Sequence, residues 1–321
     1  MRMEEAERTS LREFTEDIRI GLSATPKKIP SKYFYDARGD KIFEKITHLP
    51  TYYVTRSETE ILRRNAKKIL EPFADGGCNL VELGPGDGQK TRIFLNELVR
   101  LRTIPLTYTP IDISRSVVRK VSASLLREFS QIDIRGLAAD FSAGLHALKN
   151  DRQRKLVLFL GSSIGNMNGR ETLSFLKKLR ATLRTGDRVL IGFDLKKEIG
   201  LLERAYDDPE GVTREFNFNL LRRINRELGG SFNVSHFRHH ACYNPILGAM
   251  ESYVVSAKVQ RVRIRALKQT FSFDAWEPIH TEYSFKYSEA QIYSLSRSVG
   301  FKTVARFTDR RGYFLSALWE V

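Results

Sequence analysis

Cysteine is scarce in this chain. Only Cys78 and Cys242 occur in 321 residues, which argues against a disulfide framework and makes a reducing, cytoplasmic setting the expectation. No apolar run approaches the length of a membrane span, and the opening Met1-Arg2-Met3-Glu4-Glu5 lacks a signal-peptide core, so no membrane partner is expected. Internal repeats and low-complexity tracts are missing. The nicotinamide fingerprint G-x-G-x-x-G is missing too. Acid is in deficit: 53 Lys and Arg stand against 38 Asp and Glu, a net charge of +15. Such an excess invites a nucleic-acid reading. The basic residues are dispersed, however, through Arg63-Arg64, Lys67-Lys68, Lys177-Lys178, Arg222-Arg223 and Arg261-Val262-Arg263, with no aromatic stacking cluster among them. A solvated basic surface is favoured over an RNA groove.

What is present begins with 41% hydrophobic and 28% charged residues, enough to build one large or two modest domains with a real core. Leu80-Val81-Glu82-Leu83 reads as a buried strand. It breaks into Gly84-Pro85-Gly86-Asp87-Gly88, with a helix from near Gln89. Glycines let backbone N–H groups approach a ligand closely, since no Cβ intervenes. A second strand, Leu106–Ile111, ends in Asp112, and a carboxylate there suits a ribose. The order strand, glycine turn, helix, strand, acid is that of a mononucleotide-binding βαβ unit.

Further apolar runs stop near Ala139, Gly161 and Asp194, separated by helices such as Ser114–Leu126. Alternation of this kind predicts a parallel sheet covered on both faces. Ahead of it, Ser57 and Glu60 have capping-box spacing at the start of a long amphipathic helix. After Asp194 come two helices, a stop at Gly229-Gly230 and a strand-rich stretch from about Phe232 to Tyr287, before a final helix and two strands. Two discontinuous domains are expected: 57–195 with 287–321, and 1–56 with 196–286.

The G-x-G-x-G loop behind Glu82 resembles the first loop of S-adenosylmethionine-dependent methyltransferases. More specific segments lie outside that core. They are Lys32-Tyr33-Phe34-Tyr35-Asp36, Leu49-Pro50-Thr51-Tyr52-Tyr53-Val54-Thr55-Arg56, Gly161-Ser162-Ser163-Ile164-Gly165-Asn166, Ala205-Tyr206-Asp207-Asp208 with Gly211-Val212-Thr213, Asn225-Arg226-Glu227-Leu228, and Thr281-Glu282-Tyr283-Ser284-Phe285-Lys286-Tyr287. Over nearly the whole chain these resemble the histidine-specific Nα-methyltransferases of ergothioneine biosynthesis. The resemblance implies an α/β fold: a Rossmann-like methyltransferase sheet, parallel with an antiparallel C-terminal strand, plus a second α+β substrate-binding domain. It implies S-adenosyl-L-methionine as cofactor and L-histidine as small-molecule substrate, with three methyl groups moved to the α-amine to give hercynine. A monomer is expected, with no nucleic-acid partner.

By the same resemblance, Gly84 and Lys90 meet the methionyl end of the cofactor, with Gly86 in the same loop. Asp112 meets the ribose, Asp140 the adenine amino group, and Phe141 its face. Pro85-Gly86-Asp87-Gly88 departs from the small hydroxyl residues usual there. Asn166 reads on its own as a turn residue or as a donor–acceptor for a ligand; the resemblance makes it hold the amino-acid carboxylate and amine with Tyr52, with backbone contact from Gly161. Tyr35 and Tyr52 are open to three readings: core aromatics, polar ligands of a zwitterion, or a cage for the cationic product. The resemblance has Tyr35, Phe43 and Tyr52 line the substrate pocket.

Glu282 and Ser284, two apart on a presumed strand, share a face. They are an exposed edge or, as in the family, readers of the two imidazole nitrogens beside Met250. That set favours histidine over tryptophan or tyrosine, the alternative substrates. An RNA methyltransferase is a more distant alternative, because Gly161–Asn166 stands where an N-P-P-Y-like loop would. No general base declares itself; the neutral amine is selected, or loses its proton to water through Tyr35 or Asn166, unless an unrecognised carboxylate serves. His236, His239, His240 and Cys242 match no zinc spacing, and no metal is expected; His239, Ala241 and Tyr243 resemble a structural segment of the family.

Overall fold

A computed structural model describes residues 2–102 and 105–321, with side chains from Leu11 onward. It divides into two compact units. One comprises the chain up to Ile46 with Glu198–Ser284; the other comprises Thr47–Lys197 with Phe285–Val321. Residues 47–56, grouped by sequence with the first of these, lie in the second.

The chain opens on helix α1 (Arg2–Ser23), whose Phe14, Ile18 and Leu22 recur on one buried face. The short strand β1 (Lys27–Lys28) and helix α2 (Ala37–His48) follow. Helix α3 (Tyr53–Leu70) starts at Tyr53 and not at Ser57, correcting the capping-box reading. The Ser57 hydroxyl is buried and donates to Asp309 (3.3 Å), while Glu60 pairs with Arg64. The turn into α3 is held by Arg56, whose guanidinium donates to the carbonyls of Leu49 and Pro50 at 2.7 and 2.6 Å.

The alternating segment then runs β2 (Cys78–Leu83), α4 (Gln89–Arg100), β3 (Leu106–Asp112), α5 (Arg115–Glu128), β4 (Asp133–Ile134), β5 (Leu137–Ala138), α6 (Phe141–Ala147), β6 (Lys155–Phe159), α7 (Gly169–Thr182) and β7 (Arg188–Asp194). Ser114 caps α5 by accepting the Val117 N–H. Two helices come next, α8 (Ile199–Tyr206) and α9 (Val212–Leu228), the second ended by Gly229 at φ +64°. Strands β8 (Phe237–Asn244), β9 (Ala249–Ser256), β10 (Gln260–Ile264), β11 (Gln269–Phe273) and β12 (Pro278–Phe285) follow. Helix α10 (Glu289–Ser298) and strands β13 (Lys302–Thr308) and β14 (Phe314–Glu320) finish the chain.

The larger sheet has the order β13-β14-β7-β6-β2-β3-β4, with β5 also on β3. Strands β7, β6, β2 and β3 are parallel; β14 pairs antiparallel with β7, and β13 with β14. Every residue of β2 and β6 is buried, the signature of a sheet covered on both faces. Its core joins Val81, Val157, Phe159 and Ile191 to Phe175, Leu176 and Leu179 of α7 and to Trp319. The doubly wound sheet with its antiparallel C-terminal strand is the fold anticipated from sequence. In the other unit a four-stranded sheet, β1-β12-β9-β8, packs with α8 and α9, and β10 and β11 form a separate hairpin. Among the described residues no helix is long and apolar enough to cross a membrane.

Helix α7 is entered through a capping box. Asn168 accepts the N–H groups of Arg170 and Glu171 (3.0 and 3.1 Å), and Glu171 accepts the Asn168 N–H (2.8 Å). Asn168→Ala is expected to lower the unfolding free energy by about 0.5–2 kcal/mol, read from the urea midpoint. An unchanged midpoint would mean the box contributes nothing.

Candidate active site

Where β2 ends, Gly84, Gly86 and Gly88 all have positive φ: +75°, +57° and +75°. Two different reasons call for glycine. At Gly88 a Cβ would lie 2.7 Å from the Val121 side chain, so α4 could not start so close to α5. At Gly86 a Cβ would meet nothing within 4 Å, and at Gly84 only the Phe141 ring at 3.8 Å. These two glycines therefore serve conformation and leave an open cradle. Its base is fixed by the Gly84 N–H, which donates to the Ile111 carbonyl at 2.9 Å.

The other residues assigned to the cofactor gather at the same end of the sheet. Asp112 closes β3, half-buried, and accepts the Ser114 N–H at 2.8 Å. Asp140 caps α6 by accepting the Ala143 N–H at 3.0 Å. Phe141 packs edge-on against Phe159 with ring centres 5.5 Å apart, which anchors its ring beside Gly84. Lys90, in the first turn of α4, pairs with Glu58. Open glycine cradle, lysine, half-buried acid and fixed aromatic ring fit the methionyl, ribose and adenine parts of S-adenosylmethionine.

Beneath the cradle Glu82 is buried, and its Oε2 accepts from both Thr91 (2.5 Å) and Tyr108 (2.7 Å). Burial pushes this carboxyl up to about 7, against the pull of those two donors and of the Lys90 charge. Its neutral form is thus retained in the folded protein well above the ordinary carboxylate range.

After β6 the chain turns through Gly161 at φ +71° and Ser162 at φ +57° into a short turn ending at Asn166. One fully buried carboxylate, Glu58, and one backbone amide, that of Asp194, hold this loop. The Gly161 N–H donates to Glu58 Oε1 and Oε2 at 3.1 and 2.8 Å. Ser162 Oγ accepts the backbone N–H of Asp194 at 3.0 Å. Asp194 itself pairs with Lys286 (2.8 Å) and Lys197 and accepts from the Tyr53 hydroxyl (2.9 and 2.8 Å). Burial opposes its charge, yet the two lysines hold it below the usual carboxylate range. Lys197 is pulled down to about 8 by burial, with Asp194 acting against that shift. Tyr52, next to Tyr53, is 8% exposed.

In the other unit, Tyr35 and Phe43 meet edge-on at 5.6 Å, and Phe216 of α9 lies 5.6 Å from Tyr35 and 5.7 Å from Phe43. Phe216 was not singled out by sequence. Arg223 holds the backbone here by donating to the carbonyls of Tyr33 and Tyr35 at 3.1 and 3.0 Å. Ser284 is buried and accepts from Tyr206 at 2.6 Å; Glu282 is half-buried on the same strand, and Met250, buried, lies on the neighbouring β9. Strict alternation along β12 fails between His280 and Tyr283, whose rings are 4.0 Å apart although a regular strand would set them on opposite faces. The irregularity falls on Glu282, so the expectation that Glu282 and Ser284 share a face, which assumed a regular strand, is not carried by the strand itself. His239 is buried against Asp207 at 3.4 Å. Among the described residues no cluster of His, Cys, Asp or Glu is arranged to hold a metal ion.

Glu58, buried against Lys90 and Gly161, was not singled out by sequence either. Gly192 was its trace, a glycine inside the apolar run of β7, where a Cβ would overlap Glu58 Oε1.

Glu82 gives a pH prediction. Its folded pKa lies above its unfolded one, so its contribution to stability is full in acid and is lost as pH rises through about 7. Going from about pH 5 to about pH 8, wild-type unfolding free energy should fall relative to that of Glu82→Gln. Parallel curves for the two proteins would show that Glu82 ionises normally.

A family model described as histidine-specific methyltransferase, SAM-dependent, matches residues 14–321. A histidine N-alpha-methyltransferase of Mycobacterium tuberculosis is 39% identical over 93% of this chain and 92% of its own length. Ergothioneine biosynthesis protein 1 of Schizosaccharomyces pombe is 28% identical over 87% of the chain, which spans 37% of that longer protein. An L-tryptophan methyltransferase of Psilocybe serbica is 26% identical over 92% of the chain and 89% of its own length. With the match running through both units and the glycine cradle in place, the chain belongs to the histidine-specific, S-adenosylmethionine-dependent methyltransferase family.

Proposed function

We propose that the protein is an L-histidine Nα-methyltransferase, converting histidine in three steps to hercynine, the betaine from which ergothioneine is made. The observation that carries this reading is the 39% identity to a histidine N-alpha-methyltransferase over 93% of the chain. The polar pair Glu282 and Ser284 supports it. Tyr206 donates to Ser284 Oγ, and the pair brings a hydroxyl able to donate and a carboxylate able to accept. A neutral imidazole offers one N–H and one bare nitrogen, the complement of that pair.

S-adenosylmethionine supplies a methyl carbon made electrophilic by the attached sulfonium. The chain positions and selects. Gly84, Gly86 and Lys90 hold the methionyl end, Asp112 the ribose, Asp140 and Phe141 the adenine. Asn166, with Tyr52 and the Gly161 backbone, holds the carboxylate and amine, turning a nitrogen lone pair toward the methyl carbon. Alignment of this kind supplies up to roughly 7–11 kcal/mol of the barrier. Tyr35 and Phe43 present aromatic faces to a nitrogen that gains methyl groups and a permanent charge, a contact worth about 0.5–2 kcal/mol. The amine proton leaves to water through Tyr35 or Asn166. The tryptophan methyltransferase relative marks the second reading, an indole-bearing substrate, at lower identity.

Methyl transfer to histidine, tryptophan, tyrosine and total RNA, assayed side by side, decides among the readings; histidine should be strongly preferred, and preference for any other would replace this assignment. Asp112→Ala should weaken S-adenosylmethionine binding by about tenfold to a hundredfold, the loss of a bond to a charged group; an unchanged calorimetric affinity would remove Asp112 from the site. Glu282→Ala should raise the histidine KM by about the same factor, leave cofactor binding intact, and cost more than Ser284→Ala. Wild-type histidine efficiency in Glu282→Ala would make Glu282 a bystander.

A further inference from the structure

Helix α3 buries Val54, Ile61, Leu62 and Ile69 along one stripe, and within that stripe stands a carboxylate, Glu58, with no exposed surface. An aliphatic side chain would serve packing better there, because a buried charge is costly unless it is paired and hydrogen-bonded. The surroundings are fitted to it in three ways. The Lys90 ammonium pairs with Oε2, the Gly161 N–H donates to both oxygens, and Gly192 gives up a side chain so that Oε1 has room. Lys90 Nζ is also 3.8 Å from where a Gly161 Cβ would stand. Carboxylate, ammonium and amide therefore form one cluster at the carboxyl ends of β2 and β6.

We propose that Glu58 is a positioning residue for the methyl transfer, setting the cofactor loop and the amino-acid loop in one register. Through Lys90 it fixes the cation that meets the methionyl end. Through the Gly161 N–H it fixes the backbone that meets the amino acid. This rests on the roles given above to Lys90 and Gly161. The reaction is sensitive to such control, since a misplacement of about 1 Å in a displacement reaction costs about a hundredfold in rate. Glu58 itself touches neither reactant in this scheme.

The test begins with wild-type protein, which should bind S-adenosylhomocysteine by titration calorimetry and methylate histidine. Failure there would overturn the parent assignment and this proposal with it. A normal wild type isolates the role of Glu58. Glu58→Gln keeps the shape and one acceptor but removes the charge. S-adenosylhomocysteine binding should weaken about tenfold or more, and the histidine KM should rise by a similar factor. Placed on Lys90→Met, the same substitution should change S-adenosylhomocysteine affinity by less than about twofold, because its route to the cofactor is already gone, while still raising the histidine KM. A purely structural role would lower the unfolding midpoint and leave both constants unchanged in the folded protein, and that result overturns the proposal. If Glu58→Gln does not fold, Gly192→Ala decides: it alters no polar group but pushes the carboxylate from its seat. Because its Cβ would also crowd the Phe314 ring at 2.9 Å, it is made on Phe314→Leu and read against Phe314→Leu alone. It too should weaken S-adenosylhomocysteine binding and raise the histidine KM, and normal constants in that variant overturn the proposal equally.

Discussion

A carboxylate with no water around it must find cations and N–H groups within the protein, and at the carboxyl edge of the large sheet two such groups set the terms for everything near them. Asp194 ends β7 with Lys286 and Lys197 against it; Glu58 reaches in from α3 and takes Lys90. The loop from Gly161 to Asn166 is strung between them, its first N–H on Glu58 and its Ser162 hydroxyl on the Asp194 amide. Between these attachments Gly161 and Ser162 both take left-handed backbone. The loop is therefore largely an interior structure, with Ser162, Ile164 and Gly165 buried, tied to a charged group at Glu58 and to the backbone of β7 at Asp194.

Much of this was legible in the chain, and the rest was hidden for a definite reason. Local signals were sound: the glycine cradle, the acid at the end of β3 and Gly229 as a stop depend on neighbours in sequence, and each stands where expected. The Ser57–Glu60 pattern failed because Ser57 found a distant partner, Asp309. Glu58 was invisible for the same cause. Taken alone it is one more glutamate of an amphipathic helix, and only Lys90, Gly161 and Gly192, brought in from three other elements, reveal that its carboxylate is buried and paired. Phe216 was missed because an aromatic on the apolar face of α9 is indistinguishable, in sequence, from plain core.

Membership of the family does not by itself fix the amino acid. A tryptophan methyltransferase matches nearly the whole chain as well, so the shared fold carries the chemistry and a handful of side chains carries the choice. In the function proposed above those side chains are the ones on and beside β12, where the Tyr206 hydroxyl already donates to Ser284 in a buried region. Buried polar groups of that kind discriminate strongly, because a substrate unable to pair with them leaves them stranded.

The place of β14 has a consequence of another kind. It lies inside the large sheet, between β13 and β7, with Phe314 opposite Asp194 and Glu320 opposite Arg188. Between β7 and β14 the chain leaves to form β8 through β12 in the other unit. Until the last strand arrives, β7 presents an open edge of almost entirely buried-type residues, and closing it means joining segments far apart along the chain. An apolar edge left waiting is a template for pairing with the wrong strand. During synthesis, then, the hazard this topology creates is kinetic: nascent chains are most exposed to misassembly in the interval between the completion of β7 and the emergence of β14.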